Sequence, residues 1–295
     1  MAKTLVFGFL PLLLILTAVY YPYDTDTTPV RTKSAAQFYE AAYIQRTGTR
    51  GVDYETTAKA AADAVGIPNL VRKFVSDYGL GGKKVLEVGS GRGYLQDMVD
   101  DYTGLDLSPS VARHYHKPFV VGSATSMPFP DKSFDAIWTV WVMEHIPEPE
   151  KAFREMRRVV KPGGLLFVYV AWNCTPWAAD GFNVRPYSDF NWRGKFVKAT
   201  IPVRAWSWFS ILHGPPVRSS RLLSYSVRGS AEPLHFRRVE PNYDVYWQPD
   251  SDGVVSLDSF ETYLWFRAAG DECLNCGSVL DEMSEDRDPL IIRVH

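Results

Sequence analysis

The chain has only three cysteines and almost no net charge. Three cysteines cannot form the disulfide framework of a small secreted domain. Cys273 and Cys276 form one C-x-x-C pair without the second pair that a zinc site usually needs, and Cys174 stands apart. We therefore expect ordinary reduced cysteines and no metal site, with a redox or metal role as the alternative. A net charge of −2 argues against bulk affinity for nucleic acid.

The net charge is small, but the charged residues are unevenly distributed along the chain. Residues 181–240 contain ten Lys and Arg against three Asp and Glu, whereas residues 241–295 contain three against twelve. Seven of the nine tryptophans lie at or after Trp172. The segment that begins there is therefore basic and aromatic, and the C-terminal segment is acidic.

Residues 83–93, KKVLEVGSGRG, combine a short apolar strand pattern with a glycine turn. Glycine adopts positive φ angles and lets a ligand approach bare backbone, although such turns also serve only to pack a helix closely. A dinucleotide fingerprint needs a third glycine where Tyr94 stands, and an acid about 20 residues beyond the first glycine. Here the acid that ends the next strand, Asp106, comes sooner. The spacing argues against a nicotinamide-linked oxidoreductase and favours a mononucleoside cofactor.

Four motifs follow one another in a familiar order: VLEVGSGRG at 85–93, GLDLSPS at 104–110, GSATSMPFPDKSFDAIWT at 122–139 and EHIPEPEKAFREMRRVVKPGGLLFV at 144–168. Together they resemble the class I S-adenosylmethionine (SAM)-dependent methyltransferases. The most similar group is the type 11 family, which includes the ubiquinone and menaquinone biosynthesis methyltransferases. The resemblance covers about residues 83–172 and implies SAM as cofactor and a small-molecule methyl acceptor.

Short apolar strand patterns alternate with amphipathic helical patterns through this window. The alternation predicts a parallel sheet with helices on both faces. With the resemblance, it implies a doubly wound, Rossmann-like α/β domain with a mostly parallel seven-stranded sheet and a last, antiparallel edge strand. The predicted strands are 83–88, 103–106, 118–121, 134–139, 164–171 and 290–294, and the predicted helices are 34–45, 54–65, 68–78, 93–101, 109–116, 149–160 and 258–269.

Prolines and glycines interrupt residues 172–255, which we expect to form a long irregular insertion or lid. The methyltransferase domain would then span 34–295. Its parts would be N-terminal helices at 34–82, a SAM-binding core at 83–171, the insertion, and a final helix and strand at 256–295.

Cofactor contacts are expected at the carboxyl ends of the strands. By resemblance, Gly89, Gly91 and Gly93 form the floor under the cofactor. Asp106 would accept hydrogen bonds from the ribose hydroxyls, because a carboxylate has acceptors for both, with a helix cap as the alternative. Glu87 would face the cofactor's ammonium group or serve only the backbone of the loop.

The remaining candidates follow later strands. Leu107 adjoins the ribose-binding acid. Ser123 stands where family members usually carry an acid that accepts from the adenine amino group, and a hydroxyl is a weaker acceptor, so the backbone at Ala124 is the alternative. By resemblance, Thr139 and Trp141 contact the methionine part.

His145 is the candidate catalytic residue. An imidazole titrates near neutral pH and can take a proton from an oxygen or carbon nucleophile. The Glu-His dipeptide is frequent in the family whatever the substrate, so a structural hydrogen-bonding role is the default expectation. A catalytically silent domain that only binds or scaffolds is the alternative function, and the departure at Ser123 is its only support.

Residues 4–23 carry no charge over 20 positions, and a helix of that length just spans a bilayer core. This predicts an N-terminal membrane anchor at 1–23 and a tether at 24–33. The alternatives are a cleaved signal peptide, for which no A-x-A-like site is present, and a helix folded onto the domain. Lys3 precedes the apolar run, and Asp24 and Asp26 follow it. This distribution of charge favours an orientation with the body of the protein away from the cytoplasm, whereas the supply of SAM favours the cytoplasmic face.

Residues 193–213 interleave Lys and Arg with aromatic and aliphatic residues, including Trp206 and Trp208. Tryptophan favours the headgroup region of a bilayer, and basic side chains favour anionic lipid. The pattern predicts a second membrane contact, with a lid whose tryptophans pack on the domain as the alternative. A segment after the fifth strand emerges beside the transferred methyl, so we expect an apolar or amphiphilic acceptor.

Overall fold

The structure is a computed structural model that describes residues 32–45, 54–174, 186–204, 207–239, 241, 252–284 and 286–295. The predicted anchor at 1–23 and the tether up to residue 31 lie outside these ranges. None of the helices within the ranges combines the length and the apolar composition needed to cross a membrane.

The described residues form eight α-helices and nine strands. The helices are α1 Thr32–Gln45, α2 Tyr54–Val65, α3 Ile67–Asp77, α4 Pro149–Val159, α5 Trp192–Arg204, α6 Ser207–Arg228, α7 Ser259–Ala268 and α8 Val279–Ser284. The strands are β1 Lys84–Val88, β2 Asp101–Asp106, β3 Phe119–Val121, β4 Phe134–Val140, β5 Val160–Tyr169, β6 Arg237–Arg238, β7 Val255–Ser256, β8 Glu272–Cys273 and β9 Leu290–Arg293.

Seven strands form one sheet in the order β3-β2-β1-β4-β5-β9-β8. Strands β1 to β5 are parallel, and β9 runs antiparallel to β5. The predicted Rossmann-like, mostly parallel seven-stranded sheet is therefore confirmed. The strand order reverses at β1, which lies between β2 and β4, and ligands bind at such a switch point, outside the carboxyl ends of the strands.

The expectation that 290–294 forms the edge strand is wrong. The two-residue strand β8 pairs with the outer side of β9, with Glu272 opposite Arg293 and Cys273 opposite Ile292. Two residues carry too little alternation to be recognised as a strand from sequence, so only the pairing shows where the sheet ends.

One face of the sheet is covered by α3. Its apolar residues Ile67, Val71 and Phe74 lie four and three positions apart, which places them on one side of the helix. They belong to the buried cluster that contains Tyr102 and Trp138 of the sheet. The predicted helix over 68–78 is confirmed in type and place.

The opposite face is covered by α4 and α7. In α4, Ala152, Phe153, Met156 and Val159 are buried, and the Phe153 ring lies 5.1 Å from Phe266 of α7. These residues join the cluster that contains the sheet residues facing away from α3. Helices therefore cover both faces, as the alternation of elements predicts.

Two of the predicted helices are reduced to short 3-10 segments. Only Gln96–Met98 is helical within 93–101, and only Pro109–His114 within 109–116. The glycine turn ends at Gly93 and β2 begins at Asp101, so the connection is too short for the several turns of a stable α-helix. The length of the crossover, and not its apolar spacing, decides its structure.

The insertion contains two long helices, so the expectation of an irregular segment is wrong for its described part. Helix α6 continues through Pro215 and Pro216, and its second half buries charged groups against α7. Arg218 contacts Asp258 at 2.7 Å, and Arg221 contacts Glu261 at 2.8 Å. These long-range pairs are invisible in a local pattern, and they offset the cost of prolines inside a helix.

The expectation of reduced cysteines is also wrong for one pair. Cys273 and Cys276 form a disulfide, with their Cα atoms 5.5 Å apart. The turn after β8 brings the two residues to the usual Cα separation of a disulfide. Cys174 is buried, and its thiol donates to the carbonyl of Ala171 at 3.1 Å.

Candidate functional site

The glycine turn after β1 is built as the sequence predicts. Gly89, Gly91 and Gly93 have φ angles of 72°, 50° and 72°. The amides of Gly89 and Ser90 donate to the carbonyl of Leu105 at 2.8 and 3.0 Å, which ties the start of the turn to the end of β2. The turn therefore closes over the switch point of the sheet.

Asp106, the last residue of β2, is bonded to the glycine turn. Its Oδ2 accepts the amide of Gly91 at 2.9 Å, and its Oδ1 accepts the amide of Ser108 at 2.9 Å. Burial raises the pKa of Asp106, and these two amides oppose that shift because they stabilise the carboxylate. Each carboxylate oxygen keeps a second lone pair, so the group can still accept from two ligand hydroxyls.

Glu87 is buried and turned along the sheet. The hydroxyl of Tyr102 on β2 donates to its Oε2. Burial raises the pKa of Glu87 to about 8, and the hydrogen bond from Tyr102 opposes the shift. The side chain therefore carries a proton over much of the neutral range.

Helix α1 lies against the switch point and supplies residues that the sequence patterns did not single out. Glu40 accepts from the Ser108 hydroxyl and from the Ser110 amide at 3.4 Å. At the end of the helix, Arg92 donates to the carbonyl of Tyr43 at 2.8 Å. The spacing of Tyr39, Glu40 and Tyr43 places them on one face of the helix, which was the only signal in the sequence.

The hydroxyl of Tyr43 lies over the glycine turn. A Cβ built on Gly91 would lie 3.3 Å from it. Burial, followed by the charge of Asp106, raises the pKa of Tyr43 well above its ordinary value, and Asp252 contributes to the same shift. Tyr43 thus marks the interior of a site that both carboxylates face.

Ser123 follows β3 beside Asp106, whose carbonyl accepts the amide of Gly122 at 2.9 Å. The Ser123 hydroxyl lies 2.9 Å from Thr125 Oγ1 and accepts the Thr125 amide at 3.2 Å. Ala124 is half-buried in the same turn, and Leu107, which follows Asp106, is exposed. This part of the site presents a hydroxyl, backbone and an apolar side chain, without the acid usual in the family.

The end of β4 carries Thr139 and Trp141. Thr139 pairs with Val88 across the β1–β4 ladder and is buried, and in the described part of the chain its Oγ1 has no hydrogen-bond partner. Trp141 has a left-handed backbone, with φ 53°, and its ring meets Tyr169 edge-on at 6.0 Å. An unsatisfied buried hydroxyl and a strained bulky residue are both features that cluster at ligand sites.

His145 lies in the turn after β4 and faces the loop that precedes β7. Its Nδ1 is 3.3 Å from the carbonyl oxygen of Asp252 and 3.7 Å from Asp252 Oδ2. Its Nε2 is 3.8 Å from Glu144 Oε1. The ring therefore makes the hydrogen bond of the structural interpretation and also lies close to two carboxylates.

The sequence-predicted residues thus gather along the carboxyl ends of neighbouring strands. The glycine turn comes after β1, and Asp106 and Leu107 lie at the end of β2. Ser123 and Ala124 come after β3. Thr139, Trp141 and His145 lie at the end of β4 and in the turn after it. Glu87 alone is directed along the buried face, toward Tyr102. Sequence reasoning missed four residues of the site, which are Tyr39, Glu40, Tyr43 and Asp252.

Comparison with known proteins confirms the family resemblance. Residues 86–168 match the type 11 family model described as a methyltransferase domain. A demethylmenaquinone methyltransferase of Renibacterium salmoninarum is 38% identical over 97 residues, which cover 30% of this chain and 40% of the relative. A 2-methyl-6-phytyl-1,4-hydroquinone methyltransferase of Synechocystis is 36% identical over 105 residues, covering 31% and 33%. The chain therefore spans well under half the length of these relatives.

A solved structure is similar over about a third of the chain. The SAM-dependent methyltransferase of Aquifex aeolicus is 24% identical, over 33% of this chain and 62% of that chain, with a TM-score of 0.30. So low a TM-score adds no argument to the one carried by the sheet order and the family model.

Proposed function

We propose that this chain, whose residues 86–168 match the type 11 methyltransferase-domain model, transfers a methyl group from SAM to a small-molecule acceptor. The observation that carries the proposal is the bond between Asp106 and the Gly91 amide. It holds a carboxylate and a bare glycine turn side by side at the switch point of the sheet, where a nucleoside binds.

The residues present fit the cofactor. Beside Gly91 the nearest atom is the Tyr43 hydroxyl, so the turn offers a cradle that a side chain at position 91 would fill. Asp106 would hold the ribose hydroxyls, Leu107 and Ser123 would lie along the adenine, and the buried hydroxyl of Thr139 would gain a partner. Bound SAM supplies a methyl group on a sulfonium centre, whose sulfur keeps the electron pair of the broken bond.

The protein contributes positioning, exclusion of water and, for some acceptors, a base. Tyr43 covers the turn from the side of α1, and bonds from Arg92 to the Tyr43 carbonyl and from Ser108 to Glu40 hold that helix in place. His145 lies at the end of β4 on the same edge of the sheet and would hold the proton that a hydroxyl or acidic carbon loses. A nucleophile without a proton to lose would need no base.

The acceptor is proposed to be apolar or amphiphilic, and the membrane to be its source. Two relatives are named for demethylmenaquinone and for a phytyl hydroquinone. In α5, Trp192 is 74% exposed and Phe196 is 55% exposed, and the exposed Lys195 lies between them. An aromatic and basic face of this kind suits the surface of an anionic bilayer. With the apolar run at 4–23, it supports membrane association, on the cytoplasmic face where SAM is made.

Titration calorimetry of the full chain with SAM tests the function. Asp106→Ala should weaken binding roughly tenfold to a hundredfold, because the loss of charge-assisted hydrogen bonds costs about 1.5–3 kcal/mol. Release of S-adenosylhomocysteine in the presence of extracted membrane lipids should follow binding. If the folded wild-type chain binds no SAM, the proposed function is wrong. Binding without turnover on any extract would favour the silent domain.

A further inference from the structure

Tyr39, Asp252 and His145 meet beside the site although they come from three separate parts of the chain. The Tyr39 hydroxyl donates to Asp252 Oδ2 at 2.9 Å across 213 positions of sequence. The Tyr39 ring meets the His145 ring edge-on, with centroids 5.8 Å apart. The side chain of Asp252 is 3% exposed, so its carboxylate is held in a dry environment. The three groups form one contact cluster that links α1, the β4 turn and the insertion.

The position of Asp252 determines which nitrogen of His145 carries the proton. The atom nearest to Nδ1 is the backbone carbonyl oxygen of Asp252, at 3.3 Å, and a carbonyl only accepts. Nδ1 must therefore be the protonated nitrogen of the neutral ring, and Nε2 carries the lone pair. The tautomer of a histidine is commonly fixed by the bond that its other nitrogen makes.

The Asp252 carboxylate adds a second effect. Its Oδ2 lies 3.7 Å from Nδ1, close enough to stabilise a positively charged imidazole ring. The hydrogen bond from Tyr39 fixes the orientation of that carboxylate. A positioned general base has three parts. They are the base itself, a carboxylate near the nitrogen that does not take the proton, and a third group that orients the carboxylate.

We propose that Asp252 and Tyr39 are positioning residues that hold His145 as the general base for methyl transfer, a role that rests on the proposed function. The proton leaves the oxygen, nitrogen or acidic carbon of the acceptor, whose electron pair stays on the atom that takes the methyl group. The proton moves to Nε2, and the imidazolium formed is stabilised by the Asp252 side chain beside Nδ1. The insertion and α1 thereby complete the catalytic centre, in addition to covering it.

The groups that face His145 come from every element around it. Glu144 precedes it in the same turn, Asp252 comes from the insertion, and Tyr39 comes from α1. Glu144 also favours the charged ring, so removal of Asp252 lowers the titration midpoint of His145 without abolishing the titration.

Nitrogen-15 NMR of the full chain with labelled histidine tests the proposal without an acceptor. The His145 signals are those lost in His145→Gln. Above its titration, wild-type His145 should be protonated at Nδ1, the reverse of what a free histidine side chain prefers. In Asp252→Asn the titration midpoint should fall by about one pH unit, because an opposite charge at this distance is lost.

A surface pair provides the control. His116 Nε2 lies 2.8 Å from Asp97 Oδ1, with both side chains exposed. Asp97→Asn should leave the His145 signals unchanged, and Asp252→Asn should leave those of His116 unchanged. Protonation of wild-type His145 at Nε2, or an unchanged midpoint in Asp252→Asn, overturns the proposal. If Asp252→Asn fails to fold, the tautomer of wild-type His145 tests the proposal by itself. SAM binding in the same samples tests the proposed function separately.

Discussion

Gly89 and Val142 are packed so closely that position 89 admits no side chain. A Cβ built on Gly89 would lie 2.5 Å from Val142 Cγ1 and 2.9 Å from Val142 Cβ. The φ angle of 72° independently disfavours any other residue. The first glycine of the turn is thus required by the packing of the β4 turn against it, as well as by any ligand above it.

Gly89→Ala should lower the free energy of unfolding by about 2–5 kcal/mol, since a left-handed non-glycine costs roughly 1–2 kcal/mol and overpacking roughly 1–3 kcal/mol. Gly79→Ala is the matched control, because Gly79 has a φ of 62° and nothing within 4 Å of a built Cβ. Gly79→Ala should lower the free energy of unfolding only by the cost of a left-handed backbone at a non-glycine residue. Urea unfolding measures both, and equal losses would contradict the close packing at Gly89.

Glu87 should make stability depend on pH. Burial raises its pKa from 4.5 to about 8, so between these values the folded protein keeps a proton that the unfolded chain releases. The contribution of Glu87 to the free energy of unfolding is fully present below pH 4.5. It decreases as pH rises toward 8, by at most about 1.4 kcal/mol per pH unit. Glu87→Gln removes that slope.

Unfolding measured from pH 5 to 8 tests this, with Glu272→Gln as control because Glu272 is exposed on β8. The stability of Glu87→Gln relative to wild type should rise steadily with pH. A constant difference would show that Glu87 is charged in the folded protein throughout.

The buried triad of Arg221, Glu261 and Glu232 should contribute far more to the free energy of unfolding than the exposed ion pair beside it. Arg221 contacts Glu261 at 2.8 Å and Glu232 at 2.9 Å, and both carboxylates are almost fully buried. Arg221→Met leaves them without this charge and should cost about 3–5 kcal/mol.

Arg228 contacts the same Glu232 at 3.2 Å, but its side chain is 64% exposed. Arg228→Met should therefore cost about 1 kcal/mol or less. Chemical denaturation of both variants gives the comparison. Similar losses would mean that the network does not lock α6 onto α7.

The exposed face of α5 should bind anionic vesicles. In a variant lacking residues 1–23, flotation should show binding that weakens with salt, since each basic residue near the surface contributes about 1 kcal/mol. Trp192→Ala with Phe196→Ala should reduce the partition coefficient at least about tenfold, or 1.4 kcal/mol, while SAM binding stays unchanged.

Leu223→Ala with Val227→Ala provides the control, because these side chains are also exposed but belong to α6. They should leave vesicle binding unchanged. Equal effects of the two double variants, or no flotation at low salt, would contradict a membrane role for α5.

Local patterns in the sequence determined much of this fold and site. Alternation and apolar runs predict β1 to β5, and helical spacing predicts α3 and α4, because both depend on which faces of a short segment are buried. The glycine turn and Asp106 follow from neighbouring residues at strand ends. These features need no knowledge of distant parts of the chain.

Only the tertiary structure decided the rest. Helix α6 forms through two prolines because Arg218 and Arg221 meet carboxylates 40 positions away. Asp252 reaches His145 and Tyr39 across 107 and 213 positions, and β8 becomes the edge strand by pairing with β9. Such contacts depend on how separate elements dock, and they are stabilised by hydrogen bonds and ion pairs between residues far apart in the sequence, which no local spacing encodes.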